Sequence, residues 1–183
     1  MLSIKIMIKY QLTWLVMFSM ATFTLSCSGG PGLSSYYNDK MNYDINQPTT
    51  VMPAKLGNES DLILPDALAT ELLKMGFNIV ERSVVRQMVE EEGLDFTEIL
   101  NGEEYFKLGT IVDIESIILV NSKMQGSGIA NATVKIVELE SGKILFSTSY
   151  SQPMPENPTY LRNDNILETA KRIAEEIEKG LNM

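Results

Sequence analysis

The chain opens with Lys5 and Lys9, followed by an apolar run from Leu12 to Leu25 that is interrupted only by Thr13, Ser19, Thr22 and Thr24. That run ends beside Cys27, the only cysteine in the sequence. A charged start, an apolar middle and a small-residue exit, in that order, make residues 1–26 a secretory signal. The consequence for folding is strict. The remainder of the chain must fold outside the cytoplasm, and a single cysteine cannot form an internal disulfide, so the fold depends on its apolar core. The run is shorter than the roughly 20 residues of a membrane span, and Gly29, Gly30, Pro31 and Gly32 come directly after it, which argues against a permanent transmembrane helix.

A lone cysteine at the cleavage point is the residue that receives the acyl chains in lipoprotein signals. Thr24-Leu25-Ser26-Cys27 is an imperfect version of that motif, with the usual leucine displaced by one place. Cys27 is therefore the expected lipid anchor. Ordinary cleavage before Cys27 is the alternative, since Thr24 and Ser26 are small enough to flank a cut. Ser28 is not the aspartate that holds lipoproteins at the inner membrane of enteric bacteria, so the expected location is the outer membrane, lipid-anchored and facing the periplasm.

Loss of Lys5 and Lys9 with the signal takes the formal net charge from −9 to about −11. Nucleic-acid binding is disfavoured, because a phosphate backbone demands a basic face and no basic cluster is longer than Lys171-Arg172. A peripheral hold on anionic lipid is disfavoured for the same reason, which leaves the acyl chain as the membrane contact. A mature length of about 157 residues suits one domain with one core.

From Ser28 to about Thr50 the sequence is rich in Gly, Ser, Asn, Asp and Tyr, without apolar periodicity, and reads as a tether over residues 27–50. Its reach is roughly 80 Å at full extension. Tyr36, Tyr37 and Tyr43 are expected to rest on the domain surface. Ordered structure is expected from residue 51, at a short strand around Thr50–Ala54 whose Pro53 suits a sheet edge.

Leu62, Leu64, Leu68, Leu72 and Met75 predict a helix from Asp61 to Met75, stopped by Gly76. Phe77–Val80 reads as a strand, Ser83 as the cap of a second helix reaching Gly93, and Gly102–Leu108 as a third, ended by Gly109. Ser116–Val120 is apolar and β-branched, as a buried central strand is. Ile129–Leu139 and Lys143–Tyr150, joined through Gly142, predict a hairpin. Asn163 or Asp164 caps a last helix through Ile166, Ala170, Ile173, Ile177 and Leu181. The expected fold is a single α/β domain over residues 51–183, a mixed sheet of about four strands flanked by helices.

Catalytic chemistry has little to draw on. The sequence has no histidine, and its one cysteine is assigned to export. The commonest general base, the commonest metal ligand and the best nucleophile are thereby removed. Ser122-Lys123 is an adjacent pair that nothing marks as catalytic. Glu90-Glu91-Glu92, Glu103-Glu104 and Glu175-Glu176 read as solvated helix faces, the first also as a weak cation site. Gly126-Ser127-Gly128 lacks the lysine and helix of a phosphate loop. Asn58 and Asn131 head glycosylation triplets that carry no meaning in bacterial export. No catalytic residue, metal site or cofactor is expected, and a binding or assembly module remains.

The order of motifs resembles the family of the curli secretion protein CsgG and its shorter relatives. Ala67-Leu-Ala-Thr-Glu-Leu-Leu-Lys-Met-Gly-Phe-Asn-Ile-Val-Glu-Arg-Ser83 is similar to the family's first helix, next strand and Val-Glu-Arg-Ser exit. Val89-Glu-Glu-Glu-Gly-Leu94 and Tyr105-Phe-Lys-Leu-Gly109 continue the likeness. Ala132-Thr-Val-Lys-Ile-Val-Glu-Leu-Glu-Ser-Gly-Lys-Ile-Leu-Phe-Ser147 resembles its closing hairpin. The resemblance implies a fold like CsgG and the TolB N-terminal domain. The channel-forming member also inserts barrel hairpins, each strand of which needs about 9–11 residues. Neither Asn121–Gly128 nor Ser151–Asn163 can supply two such strands, so the resemblance is to a domain without a pore. It implies protein partners in the envelope, either a secretion or assembly component or, as for the relative LpoB, a penicillin-binding protein. It leaves homo-oligomerisation open.

Overall fold

The computed structural model describes residues 32–38, 43–101, 104–125, 128–152 and 166–181. The signal segment, Cys27 and the expected caps Asn163 and Asp164 lie outside the described residues. In chain order the elements are β1 (Gly32–Tyr37), β2 (Thr49–Pro53), α1 (Ser60–Lys74), α2 (Arg82–Glu91), α3 (Phe96–Asn101) and α4 (Phe106–Val112). Then come β3 (Ser116–Gln125), β4 (Gly128–Glu138), β5 (Ile144–Ser151) and α5 (Ile166–Leu181). The strands form one mixed sheet in the order β1-β5-β4-β3-β2, with β2 parallel to β3 and every other pairing antiparallel.

Helix α1 forms because Leu64, Leu68 and Leu72 recur every four residues and are fully buried. Pro65 lies inside the helix as its sixth residue, past the first turn, and gives up one backbone hydrogen bond there. Its end is set by Gly76, at φ +92°, which lets the Phe77 N–H return to the Leu72 carbonyl at 3.1 Å. Helix α5 buries Ala170, Ile173, Ala174 and Ile177 in one stripe. Together α1 and α5 cover one sheet face, over Val51, Ile118, Val134, Ile136, Phe146 and Tyr150. On the other face a second core joins Val85, Val89, Phe96, Leu100 and Leu108 of α2–α4 to Met52, Ile117, Leu119 and Val137. Only the half of that face containing Ile117 and Leu119 is covered. Farther along β3 and β4, Asn121, Lys123, Asn131 and Lys135 are exposed.

The structure changes the expected fold at several points. The sheet has five strands, not about four, because the segment read as a tether supplies β1, which pairs with β5 from Gly32↔Ser151 to Tyr37↔Phe146. Of its residues only Leu33 and Tyr37 are half-buried against the core, too few for an apolar alternation to be read in the sequence. Tyr43 is core rather than surface, 7% exposed and packed against Phe77 with ring centroids 6.2 Å apart.

Phe77–Val80 is not a strand. It touches β2 only through the Thr49↔Ile79 bridge before the chain turns into α2. Helix α2 begins at Arg82, one residue ahead of the expected Ser83 cap, with Glu81 at the N-cap position making no side-chain cap bond.

The single third helix expected at Gly102–Leu108 is replaced by two short ones. Asp95 Oδ1 caps α3 by accepting the N–H groups of Thr97 and Glu98, at 2.7 and 3.0 Å. Gly109 lies inside α4 instead of ending it, because a Cβ there would stand 3.1 Å from Leu139 Cβ; the glycine is used for close packing. The stop is Asp113, at φ 54°, a residue type that tolerates the left-handed region. The hairpin agrees with expectation, with Gly142 at φ +67° between β4 and β5.

Candidate protein-contact surfaces

The chemistry-bearing residues singled out in the sequence are not brought together. Ser122 and Lys123 are consecutive in β3, so their side chains leave opposite faces of the sheet and cannot form a nucleophile–base pair. Glu90 is engaged with Arg86 at 2.8 Å, and Glu91 accepts the Gln87 amide at 2.9 Å. Glu104 pairs with Lys107, and Glu175 lies 3.8 Å from Lys171. Among the described residues no group of three His, Cys, Asp or Glu side chains could hold a metal ion. Likewise, no helix among them is long and apolar enough to cross a membrane. Gly126, Ser127 and Glu103 lie outside the described residues.

One polar cluster escaped the sequence reading. Tyr43 Oη lies 2.7 Å from Thr49 Oγ1, which lies 2.6 Å from Ser116 Oγ; Gln47 donates its amide to the same Ser116 oxygen at 3.1 Å. Thr49 and Ser116 are fully buried, at the start of the parallel β2–β3 pair. Burial holds the Tyr43 phenol above its ordinary value, opposed by its hydrogen bonds to Ser116, Thr49 and Gln47. Asp44, fully exposed, is held below the usual carboxylate range by the backbone N–H and side-chain amide of Asn46. A satisfied network of hydroxyls, with no base among them, ties the start of the parallel pair to Tyr43.

Three surfaces among the described residues stand open to a partner. A groove of about 670 Å³ runs between α1 and α2, where Arg82 pairs with Asp66 at 2.9 Å and the Arg86 guanidinium lies 6.0 Å from the Phe96 ring centre. A hollow of about 490 Å³ lies where α4 meets the uncovered half of the sheet, lined by Lys55, Tyr105, Asn121, Thr133, Lys135 and Ile144 among others, and by no carboxylate. The third is the outer edge of β1, which is the end of the sheet opposite β2.

No protein-family model and no curated protein matches the chain. Among solved structures, the lipoprotein GNA1162 from Neisseria meningitidis is similar, with 16% identity and a TM-score of 0.50 over 73% of this chain and 97% of that one. The PelC dodecamer from Paraburkholderia phytofirmans has 7% identity and a TM-score of 0.47 over 82% of this chain and 96% of that chain. The LpoB C-terminal domain from Salmonella enterica has 13% identity and a TM-score of 0.48 over 63% and 87% of the two chains. At such identities the likeness concerns the fold alone, and the GNA1162 structure places this α/β sheet among known folds.

Proposed function

We propose that this chain is a non-enzymatic envelope lipoprotein, held at the outer membrane by acyl chains on Cys27 and acting in the periplasm through protein contacts in assembly or secretion. In this reading the domain is CsgG-like but carries no pore of its own, since β3, β4 and β5 succeed one another as plain hairpins. The observation that carries the proposal is the position of the only cysteine, at the end of the export signal and five residues ahead of the first strand. At full extension those five residues span about 17 Å, so an anchored domain works close to its membrane.

The test is labelling with a fatty-acid analogue in cells producing the native chain or Cys27→Ala. Label on the native chain and none on Cys27→Ala is the expected result. An unlabelled native chain would mean a free periplasmic protein and end the anchored reading.

The same pore-less arrangement fits a second reading, an LpoB-like activator of a peptidoglycan synthase. Here the five-residue spacing weighs against a partner far from the anchoring membrane. Pull-down from envelope extracts separates the two: a stable catch of a penicillin-binding protein would sink the assembly reading, and a ring-forming secretion component would sink the activator.

A further inference from the structure

The sheet face that packs on α2, α3 and α4 is covered over part of its length, and the remainder differs in charge from the rest of the molecule. Side chains alternate along a strand, so the face carrying Ile117 and Leu119 continues through Asn121 and Lys123 of β3. The register sets Lys135 of β4 against Leu119, Thr133 against Asn121 and Asn131 against Lys123. Ser147 and Ser149 of β5 lie beyond them, beside Lys135 and Thr133. Asn121, Lys123, Asn131, Lys135 and Ser149 are exposed. Amides, hydroxyls and ammonium groups make up this surface. None of these positions is a carboxylate, in a chain with 24 Asp and Glu residues.

The lysines here also lack ion pairs. On the helices Lys74, Arg82, Arg86, Lys107, Lys171 and Arg172 each pair with a carboxylate, whereas Lys55, Lys123 and Lys135 pair with none among the described residues. Where Tyr105 walls the surface off, ahead of α4, it deepens into the hollow of about 490 Å³. Lys55 and Lys135 supply its charge, and Ala54, Leu119, Val137 and Ile144 its apolar lining. Ile144 is 40% exposed there, a large aliphatic side chain without cover.

We infer that this hollow seats an acidic segment of a partner protein, with its carboxylates on Lys55 and Lys135 and an apolar side chain against Ile144. Charge selects the sign of the occupant. A chain of formal charge −9 repels an acidic segment over most of its surface, so two unpaired ammonium groups in a carboxylate-free hollow single out where such a segment binds. The lining selects its class. Aliphatic residues beside the lysines gain by covering an aliphatic side chain, which a peptide brings and an acidic glycan does not. The inference rests on the protein-contact reading proposed above and is independent of lipid on Cys27.

The test uses the full chain in detergent and a labelled peptide of three Glu-Glu-Leu repeats, followed by fluorescence anisotropy. The native chain should bind it saturably and should not bind the matched Gln-Gln-Leu peptide. Lys55→Glu combined with Lys135→Glu should weaken binding by about tenfold or more. Ile144→Ser, which leaves the charge alone, should weaken it about threefold. Lys179→Glu, at the end of α5 on the other side of the sheet, should stay within about twofold of the native chain. Both hollow lysines are exposed, so the double variant should keep the native thermal midpoint; Lys55→Gln with Lys135→Gln serves if it does not.

No saturable binding by the native chain, equal binding by the double variant, or as large a loss in Lys179→Glu would each overturn the inference. So would tighter binding of an oligogalacturonate than of the peptide, which would assign the hollow to a glycan. Self-association seen by light scattering and abolished in the double variant would assign it to a second copy of this chain. Capture of the same envelope protein by the native chain and by the double variant would overturn the inference and leave the protein-contact reading standing.

Discussion

At the scale of single residues, Tyr43 shows why a polar stretch can hide a core position. Its neighbours Asp44 and Asn46 form an exposed turn, Asp44 accepting the Asn46 N–H at 2.9 Å, while the tyrosine ring turns inward onto Phe77. Composition alone places such a tyrosine at the surface; only the hydroxyl partners Thr49 and Ser116, distant in sequence, require it inside. Tyr43→Phe keeps the ring and leaves Thr49 and Ser116 bonded to each other, so it should cost about 1 kcal/mol in urea unfolding. The variant also has a pH signature. The phenol is raised above its ordinary 10.0 in the fold, so as pH rises through that value the unfolded chain releases the proton first. The native state then binds more protons than the unfolded one, and this contribution to stability falls from about pH 10 upward, while below it both states are protonated. The urea midpoint of Tyr43→Phe should therefore fall less on going to alkaline pH than that of the native chain; equal falls would contradict the assignment. Asp95 is the other residue whose role is purely local. Asp95→Ala removes the acceptor for two N–H groups of α3 and should lower stability by about 1 kcal/mol, read as a shift in thermal midpoint.

Elements were readable where periodicity and a terminator coincided. Helix α1 matches its expected span within a residue at each end because a leucine stripe and Gly76 agree, and the β4–β5 hairpin because alternation and Gly142 agree. Reading failed where a glycine has a packing role. Gly109 looked like a helix stop but fits α4 against Leu139. Strand β1 was missed because its partner, β5, lies at the far end of the sequence, and nothing local distinguishes it from a linker. Helix α5 packs closely on β5 at Gly180. A Cβ on Gly180 would fall 2.4 Å from Phe146 Cε2, and Phe146 is fully buried. Gly180→Ala gains helix propensity, worth about 1 kcal/mol at an exposed site, but must displace an aromatic ring from the centre of the core. We expect a net loss of about 1–3 kcal/mol in chemical denaturation. A neutral or stabilising result would mean that α5 can lift off β5 freely.

For the whole molecule, the α/β class and mixed sheet were legible because runs of helix and of strand succeed one another along the chain and the longest strands are apolar where they are central. The surfaces were not, because a surface is assembled from residues far apart in sequence. Lys55, Lys123 and Lys135 give no basic cluster along the chain, yet the fold gathers Lys55 and Lys135 into one hollow free of carboxylates. The proposed attachment through Cys27 and the folding of the domain should be separable. Cys27→Ala should leave the thermal midpoint of the domain within about 1 °C of the native chain, since surface changes away from packed features cost little. Circular dichroism melts of the two detergent-solubilised proteins check it.

The pairing of β1 with β5 also sets an order of events. Ser35 meets Thr148 across 113 residues of chain, and every chain is made from its N-terminus. The first strand therefore waits for the last before it has a neighbour, and closing so long a loop is among the slow steps of folding. Until then β5 lacks its outer neighbour, so the sheet is completed last at the strand made first.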